Sequence, residues 1–232
     1  ITFVPQNGTF RYNAEELIEF FGQNPVDILL LINPDNPSGN FITMDGVHKL
    51  AQWCEENNMR FVLDESFVDF SVGFANNTFL NNAILEKYPR MCVMKSISKS
   101  YGVPGLRLGI LCSADTDVIT KIKKQVSIWN INSFAQFFMQ IYPKYREDYE
   151  RACYQFIKAR EDFELELRKI PFIKVMPSQA NYFFLEVLPP YNPKKLCAIL
   201  LKKYNILASA CLAKKGIEPN KYMRIAVRDH GD

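Results

Sequence analysis

The chain has little of what a metal centre or a disulfide scaffold requires. Histidine occurs 2 times in 232 residues, at His48 and His230, and the 6 cysteines include no Cys-x-x-Cys pair. Zinc sites draw on clustered Cys and His at such spacings, so the sequence offers no metal site. Cys54, Cys92, Cys112, Cys153, Cys197 and Cys211 are scattered, mostly inside apolar runs, as buried reduced thiols of a cytoplasmic protein would be. No run is long or apolar enough to cross a membrane, and no signal-peptide pattern opens the chain. Charge of one sign is not in excess either. The 28 Lys and Arg against 25 Asp and Glu leave +3, too mild to point to nucleic acid or a membrane surface. Glycine is missing between Gly109 and Gly216, which leaves that half few flexible breaks, and neither internal repeats nor low-complexity segments occur.

What is present is apolar and ordered. Hydrophobic residues make up 48% of the chain, enough to exclude disorder and to build a substantial core. Strand-like runs at 27–33, 60–64 and 91–96 are separated by helical spacing at Val47, Leu50, Ala51 and Cys54 and by a second helix around Leu80 to Tyr88. Leu106 to Cys112 reads as a further strand. This alternation predicts an α/β fold, a mostly parallel sheet with flanking helices. The stretch from Lys144 to Lys169 lacks proline and glycine and predicts one long helix. After Pro171 the pattern becomes strands at 172–176 and 182–187, a helix at 194–203, and strands near 206–210 and 222–227. That is a smaller α+β unit, and the boundary is expected near residue 150, dividing 1–150 from 151–232.

Three strand ends carry the chemistry. Met91 to Met94 runs into Lys95-Ser96-Ile97-Ser98-Lys99-Ser100-Tyr101-Gly102, with Arg107 eight residues beyond Lys99. A lysine at a strand end can be desolvated and used as an amine nucleophile toward a carbonyl cofactor. Ser96 and Arg107 are the types that hold a phosphate, by hydroxyl donation and by a guanidinium fork. An amine beside a phosphate anchor is what pyridoxal phosphate needs, although a solvated loop lysine fits the same run taken alone. The apolar run 27–32 reads as a buried strand ending in Asn33-Pro34-Asp35-Asn36-Pro37-Ser38-Gly39-Asn40, whose Asn-Pro pairs force a rigid turn. Such turns are where open α/β sheets place ligand contacts, and Asn36 offers an amide there. Asp64, at the end of Arg60 to Asp64, can pair with a protonated ring nitrogen or serve as an ordinary cap.

Taken together, these segments resemble fold-type I pyridoxal-phosphate enzymes of the class I/II aminotransferase group. The family's Asn-Pro-x-Asn-Pro-Thr-Gly, Asp-Glu-Ala-Tyr/Phe and Ser-x-Ser-Lys-x-x-Gly…Gly-Leu-Arg segments occur here in the same order and at similar spacing. Asp64 to Phe70 and Trp129-Asn130-Ile131-Asn132 look most like the histidinol-phosphate aminotransferase and threonine-phosphate decarboxylase branch. The resemblance implies pyridoxal 5'-phosphate as cofactor, with Lys99 as internal aldimine and proton shuttle. It implies Asp64 on the pyridine nitrogen, Asn36 on the ring hydroxyl, and Ser96 and Arg107 on the phosphate. It further implies Arg224, in Lys221-Tyr222-Met223-Arg224-Ile225-Ala226-Val227, on the substrate carboxylate, with Arg228 a weaker competitor and Asn181 close to the substrate.

Transamination of an amino acid or phosphorylated amine against a keto acid is the implied activity, in a cytoplasmic homodimer. Threonine-phosphate-type decarboxylation and a non-catalytic regulatory or fusion module are the alternatives. Three positions depart from the pattern: Ser38 for threonine, Ser66 for alanine, and Phe67 where many aminotransferases carry a tyrosine whose hydroxyl meets the ring oxygen. By the same resemblance, Ile1 falls after the family's glycine-containing phosphate loop and its ring-stacking aromatic. The chain is then expected to be truncated, part of a larger protein or a degenerate relative.

Overall fold

The computed structural model describes residues 8–211 and 216–228. His230 lies outside them. The first unit opens with α1 (Ala14–Gln23). Its Asn13 side chain accepts from the Glu16 amide while Glu16 reaches back to the Asn13 amide, a reciprocal cap that fixes the first turn. Then follow β1 (Ile28–Ile32), α2 (Met44–Glu56), β2 (Arg60–Asp64), α3 (Asn82–Lys87), β3 (Met91–Ser96), α4 (Ile97–Ser100) and β4 (Gly109–Cys112). The strands lie in the order β1-β2-β3-β4. The first three are parallel, with Ile32 opposite Asp64 and Asp64 opposite Met94, and β4 is antiparallel to β3.

The mostly parallel sheet with flanking helices is therefore present, with differences in detail. β1 is not buried on both faces: Leu29 and Leu31 face the helices, whereas Ile28 and Leu30 are 57% and 58% exposed. Alternation along a strand sends neighbours to opposite faces, and among the described residues α1 and α2 cover only one. On that covered face Leu17 and Phe21 of α1 and Val47 and Leu50 of α2 close over Leu31, Phe61, Leu63 and Val93. The strand expected over 106–112 begins only at Gly109. Pro104–Leu106 forms a 3-10 turn and Arg107 takes a left-handed conformation (φ 52°), which interrupts any pairing before it.

The chain continues through α5 (Thr116–Lys123) and α6 (Ser133–Ile141), neither of which follows from the pattern of strand-like runs. The expected long helix is α7 (Arg146–Leu167), preceded by a 3-10 turn at Tyr142–Tyr145. The second unit comprises β5 (Ile173–Val175), β6 (Tyr182–Val187), α8 (Pro193–Tyr204), β7 (Ser209–Ala210) and β8 (Tyr222–Ala226), in an antiparallel sheet ordered β5-β6-β8-β7. Phe156, Phe163 and Leu167 of α7 join its core with Phe183, Leu185 and Met223. The first turns of α7 instead meet Tyr101, the residue that ends α4, on which Tyr149 stacks with centroids 4.2 Å apart. No described helix is long and apolar enough to cross a membrane.

The two units meet along a line of small residues and rings. Gly39 sits so close to Ser178 that a Cβ on it would lie 2.1 Å from the Ser178 hydroxyl, and its φ of +73° already favours glycine. Arg160 of α7, 2% exposed, donates to the Phe70 carbonyl and, at 3.4 Å each, to the Ala180 carbonyl and Gln179 Oε1. Burial lowers its pKa, and these oxygens take up the donors that water has lost.

Candidate active site

Parallel strands end at one edge, so whatever follows β1, β2 and β3 is gathered there by topology alone. Asn36 lies in the turn after β1, Asp64 is the last residue of β2, and Ser96 ends β3 immediately before α4, which carries Lys99. The smaller sheet brings Tyr182 and Arg224 to this edge from β6 and β8, where Phe184 pairs with Arg224 and Tyr182 with Ala226.

A chain of contacts runs through the site. Arg224 Nη1 donates to Asn36 Oδ1 at 2.8 Å. The same guanidinium lies 4.9 Å from the centroid of the Tyr182 ring, within cation–π range. The Tyr182 ring meets Phe67 edge to face at 5.3 Å, and the Lys99 ammonium stands 5.2 Å from the Phe67 centroid. The Tyr182 hydroxyl donates to the Asp35 carbonyl at 2.8 Å, pinning the turn that carries Asn36. Burial raises the pKa of that hydroxyl, with the Asp35 charge adding to it, so Tyr182 remains a donor. By residue type Tyr182 looks like core, an aromatic in an apolar strand. Its signal lay in its position after Asn181.

Asp64 and Ser96 are linked through one serine. Ser66 donates its amide to Asp64 Oδ1 at 2.9 Å and accepts the Ser96 amide on its hydroxyl at 3.0 Å. The Asp64 carboxylate is thus oriented at its strand end by a backbone donor. Phe67 offers only its ring where a tyrosine would add a hydroxyl. Asn181 is half-buried, and its carbonyl accepts from the Val227 amide at 3.0 Å. Arg107 stands apart. The ladder brings Gly109 opposite Ser96, but the Arg107 guanidinium is exposed and turned back to the Pro104 carbonyl at 3.2 Å. Arg228 is also exposed, beside Ala226 and Asp162 in a groove along α7, away from the ring chain. No cluster of metal-ligating side chains occurs among the described residues.

The donor set suits a pyridine ring with an aldehyde: an amine, an oriented carboxylate, an amide and a serine hydroxyl on adjoining strand ends. Comparison with known proteins agrees. The model of the family described as aminotransferase class I and II matches residues 2–230. A curated relative, the L-serine phosphate decarboxylase of Sulfurospirillum multivorans, is 29% identical over 98% of this chain and 59% of its own length. The solved histidinol-phosphate aminotransferase of Clostridium acetobutylicum matches with a TM-score of 0.85 and 26% identity, over 97% of this chain and 65% of that one. The fold is shared, too, with histidinol-phosphate aminotransferase from Sinorhizobium meliloti, solved in complex with pyridoxal-5'-phosphate (TM-score 0.80, 18% identity, 99% of this chain and 60% of that one). The chain spans about three-fifths or less of the length of the curated relatives it matches. It belongs to the aminotransferase class I and II family, whose cofactor is pyridoxal 5'-phosphate.

Proposed function

We propose that residues 1–150 hold pyridoxal 5'-phosphate, that residues 151–232 supply the carboxylate-binding side chain, and that together they serve transamination of an amino acid or phosphorylated amine against a keto acid. When bound, the cofactor supplies an aldehyde for amine exchange and an electron sink for charge developing at the substrate Cα. Lys99 provides the amine that carries it and moves the proton at Cα. Asp64 faces the ring nitrogen, Asn36 the ring oxygen, and Ser96 with Arg107 the phosphate. For Arg107 this requires its guanidinium to leave the Pro104 carbonyl, an exposed bond worth about 1 kcal/mol.

The observation that carries the reading is the 2.8 Å bond between Arg224 and Asn36. A carboxylate captured by Arg224 is held beside Asn36 and stays bound while the Lys99 amine takes and returns the proton, as transamination requires. Asn181 lines the approach, and Arg228, exposed on the groove along α7, is the less suited of the two arginines. Thiols rather than disulfides at Cys54, Cys92 and Cys153 suit a reducing cytoplasm. A homodimer is the assembly this reading takes over from the family.

Two observations favour a second reading, decarboxylation. Phe67 supplies no hydroxyl beside Lys99, and the relative at 29% identity is a decarboxylase of a phosphorylated amino acid. The test begins with the cofactor. Pyridoxal phosphate is added, the visible spectrum recorded, the adduct reduced with borohydride and the labelled peptide mapped. Label on Lys99 supports the site, and label elsewhere or nowhere removes it. Keto-acid-dependent turnover against release of carbon dioxide then separates the two reactions, and failure of both ends the enzyme reading.

A further inference from the structure

The lysine assigned to the cofactor sits on the least self-supporting element of the site. α4 has four residues, Ile97–Ser100, far below the length at which a helix holds itself. Its fixed position must come from outside.

One carboxylate supplies much of it. Asp69, in the 3-10 turn Val68–Phe70 after β2, accepts the Lys95 ammonium on Oδ1 at 2.7 Å and the Ser100 hydroxyl on Oδ2 at 2.7 Å. Lys95 and Asp69 are almost completely buried, at 7% and 9% side-chain exposure. Lys95 precedes Lys99 by four residues and Ser100 follows it by one. Asp69 therefore holds both sides of the segment that carries Lys99. It is also five residues beyond Asp64, in the same connection. The three groups set where the Lys99 backbone stands relative to the carboxylate at the end of β2.

A buried ion pair is costly to desolvate and is a poor way to gain stability, which points to a positional role for this one. Glu65 does not compete for Lys95: its two oxygens are occupied by the Phe79 amide and the Thr78 hydroxyl. Tyr101 adds a ring 6.0 Å from the Lys95 ammonium. Ile97 is anchored separately, by its amide on the Leu108 carbonyl at 3.0 Å and by packing against Leu108 and Ala135. The start of α4 is thus held by Leu108, just before β4, and by α6, and its end by Asp69.

We propose that Lys95, Asp69 and Ser100 form a positioning device that delivers the Lys99 amine to the cofactor aldehyde. This rests on Lys99 being the residue that condenses with that aldehyde, forming C=N and releasing water. None of the three touches the reacting atoms. They act through the backbone of α4.

Ser100→Ala is the decisive variant, because it removes one leg and leaves the buried ion pair intact. On the protein expressed from its complete gene, the rate of the absorbance change on adding pyridoxal phosphate is expected to fall tenfold or more. The melting temperature should fall by only several degrees, at about 2–4 °C per kcal/mol for a chain of this size, and stay well above the assay temperature. Ser100→Thr, which keeps the hydroxyl, should restore the rate. Without cofactor, hydrogen exchange of the Lys99 to Gly102 amides should quicken in Ser100→Ala and not in Ser100→Thr. A paired change, Lys95→Met with Asp69→Leu, removes both charges together and is expected to slow the reaction as much.

Unchanged rate and exchange in Ser100→Ala overturn the proposal while leaving the site reading in place. So does a rate loss that follows melting temperature and is not rescued by threonine. If wild type itself gives no borohydride-stable label on Lys99, the site reading falls and this proposal with it.

Discussion

Arg224 and Asn36 are 188 residues apart and joined by a 2.8 Å hydrogen bond from guanidinium to amide oxygen. The bond joins the smaller sheet to the turn after β1, and it brings the guanidinium proposed to bind the substrate carboxylate against the amide proposed for the cofactor ring. Tyr182 supports both partners, its ring beneath the guanidinium and its hydroxyl on the Asp35 carbonyl.

Arg224→Lys keeps the charge but loses the fork, and lysine cannot make the paired bonds to a carboxylate. Loss of one charged hydrogen bond, about 1.5–3 kcal/mol, corresponds to a KM for the amino substrate roughly 10- to 100-fold higher. Spectroscopic titration should show the affinity for pyridoxal phosphate little changed. A parallel loss of cofactor affinity would remove Arg224 from the substrate role.

Tyr182→Phe tests the hydroxyl separately from the ring. It removes one buried hydrogen bond to a carbonyl, about 1 kcal/mol, while the cation–π contact remains. Tyr182→Leu removes both and should raise KM further than phenylalanine does. Equal KM values for the two variants would show that the ring does not hold Arg224.

Gly39→Ala should be strongly destabilising. The new Cβ meets the Ser178 hydroxyl at 2.1 Å, and alanine is strained at φ +73°. Strain and overpacking together are expected to cost at least about 2 kcal/mol in urea unfolding. A stability within about 0.5 kcal/mol of wild type would mean that the two units can separate along this line.

Arg160→Met keeps an unbranched apolar stem but removes the guanidinium, which strands the Phe70 and Ala180 carbonyls, while Gln179 Oε1 keeps the Val72 amide. Each buried acceptor left without a donor costs about 1–3 kcal/mol. A fall of several kcal/mol in denaturant unfolding is expected, with the contact between α7 and the turn after β2 loosened first.

Glu65 gives a pH test with a defined sign. It is 1% exposed, and burial raises its pKa above the usual carboxylate value despite the Phe79 and Thr78 donors. The folded state therefore holds this proton to a higher pH than the unfolded state. Its contribution is complete below the unfolded pKa, about 4.3, and is lost as pH rises through the higher folded value. Glu65→Gln has no charge to desolvate. The stability of the variant relative to wild type should grow with pH across that window, read from urea midpoints between pH 4 and 8. A difference that is flat with pH would contradict the sign.

Much of this protein was legible without its structure. The Asn-Pro turn, the aspartate ending β2 and the Ser-Lys segment after β3 sit where apolar runs stop, and strand ends follow directly from local pattern. Parallel order then gathers Asn36, Asp64 and Lys99 at one edge, because βαβ connections return each strand in the same direction. Helix α7 was equally plain, as an unbroken stretch without proline or glycine. Other features depended on partners distant in sequence. β1 turned out half-exposed because face coverage is decided by which helices dock. The left-handed Arg107 cut β4 short, and its guanidinium points to its own loop. Tyr182, Arg160 and the Lys95–Asp69–Ser100 cluster look like core or surface by type. Sequence determined which chemical groups end the strands. Tertiary structure decided which of them are desolvated, paired and held, because burial and hydrogen bonding belong to neighbours that only folding brings together.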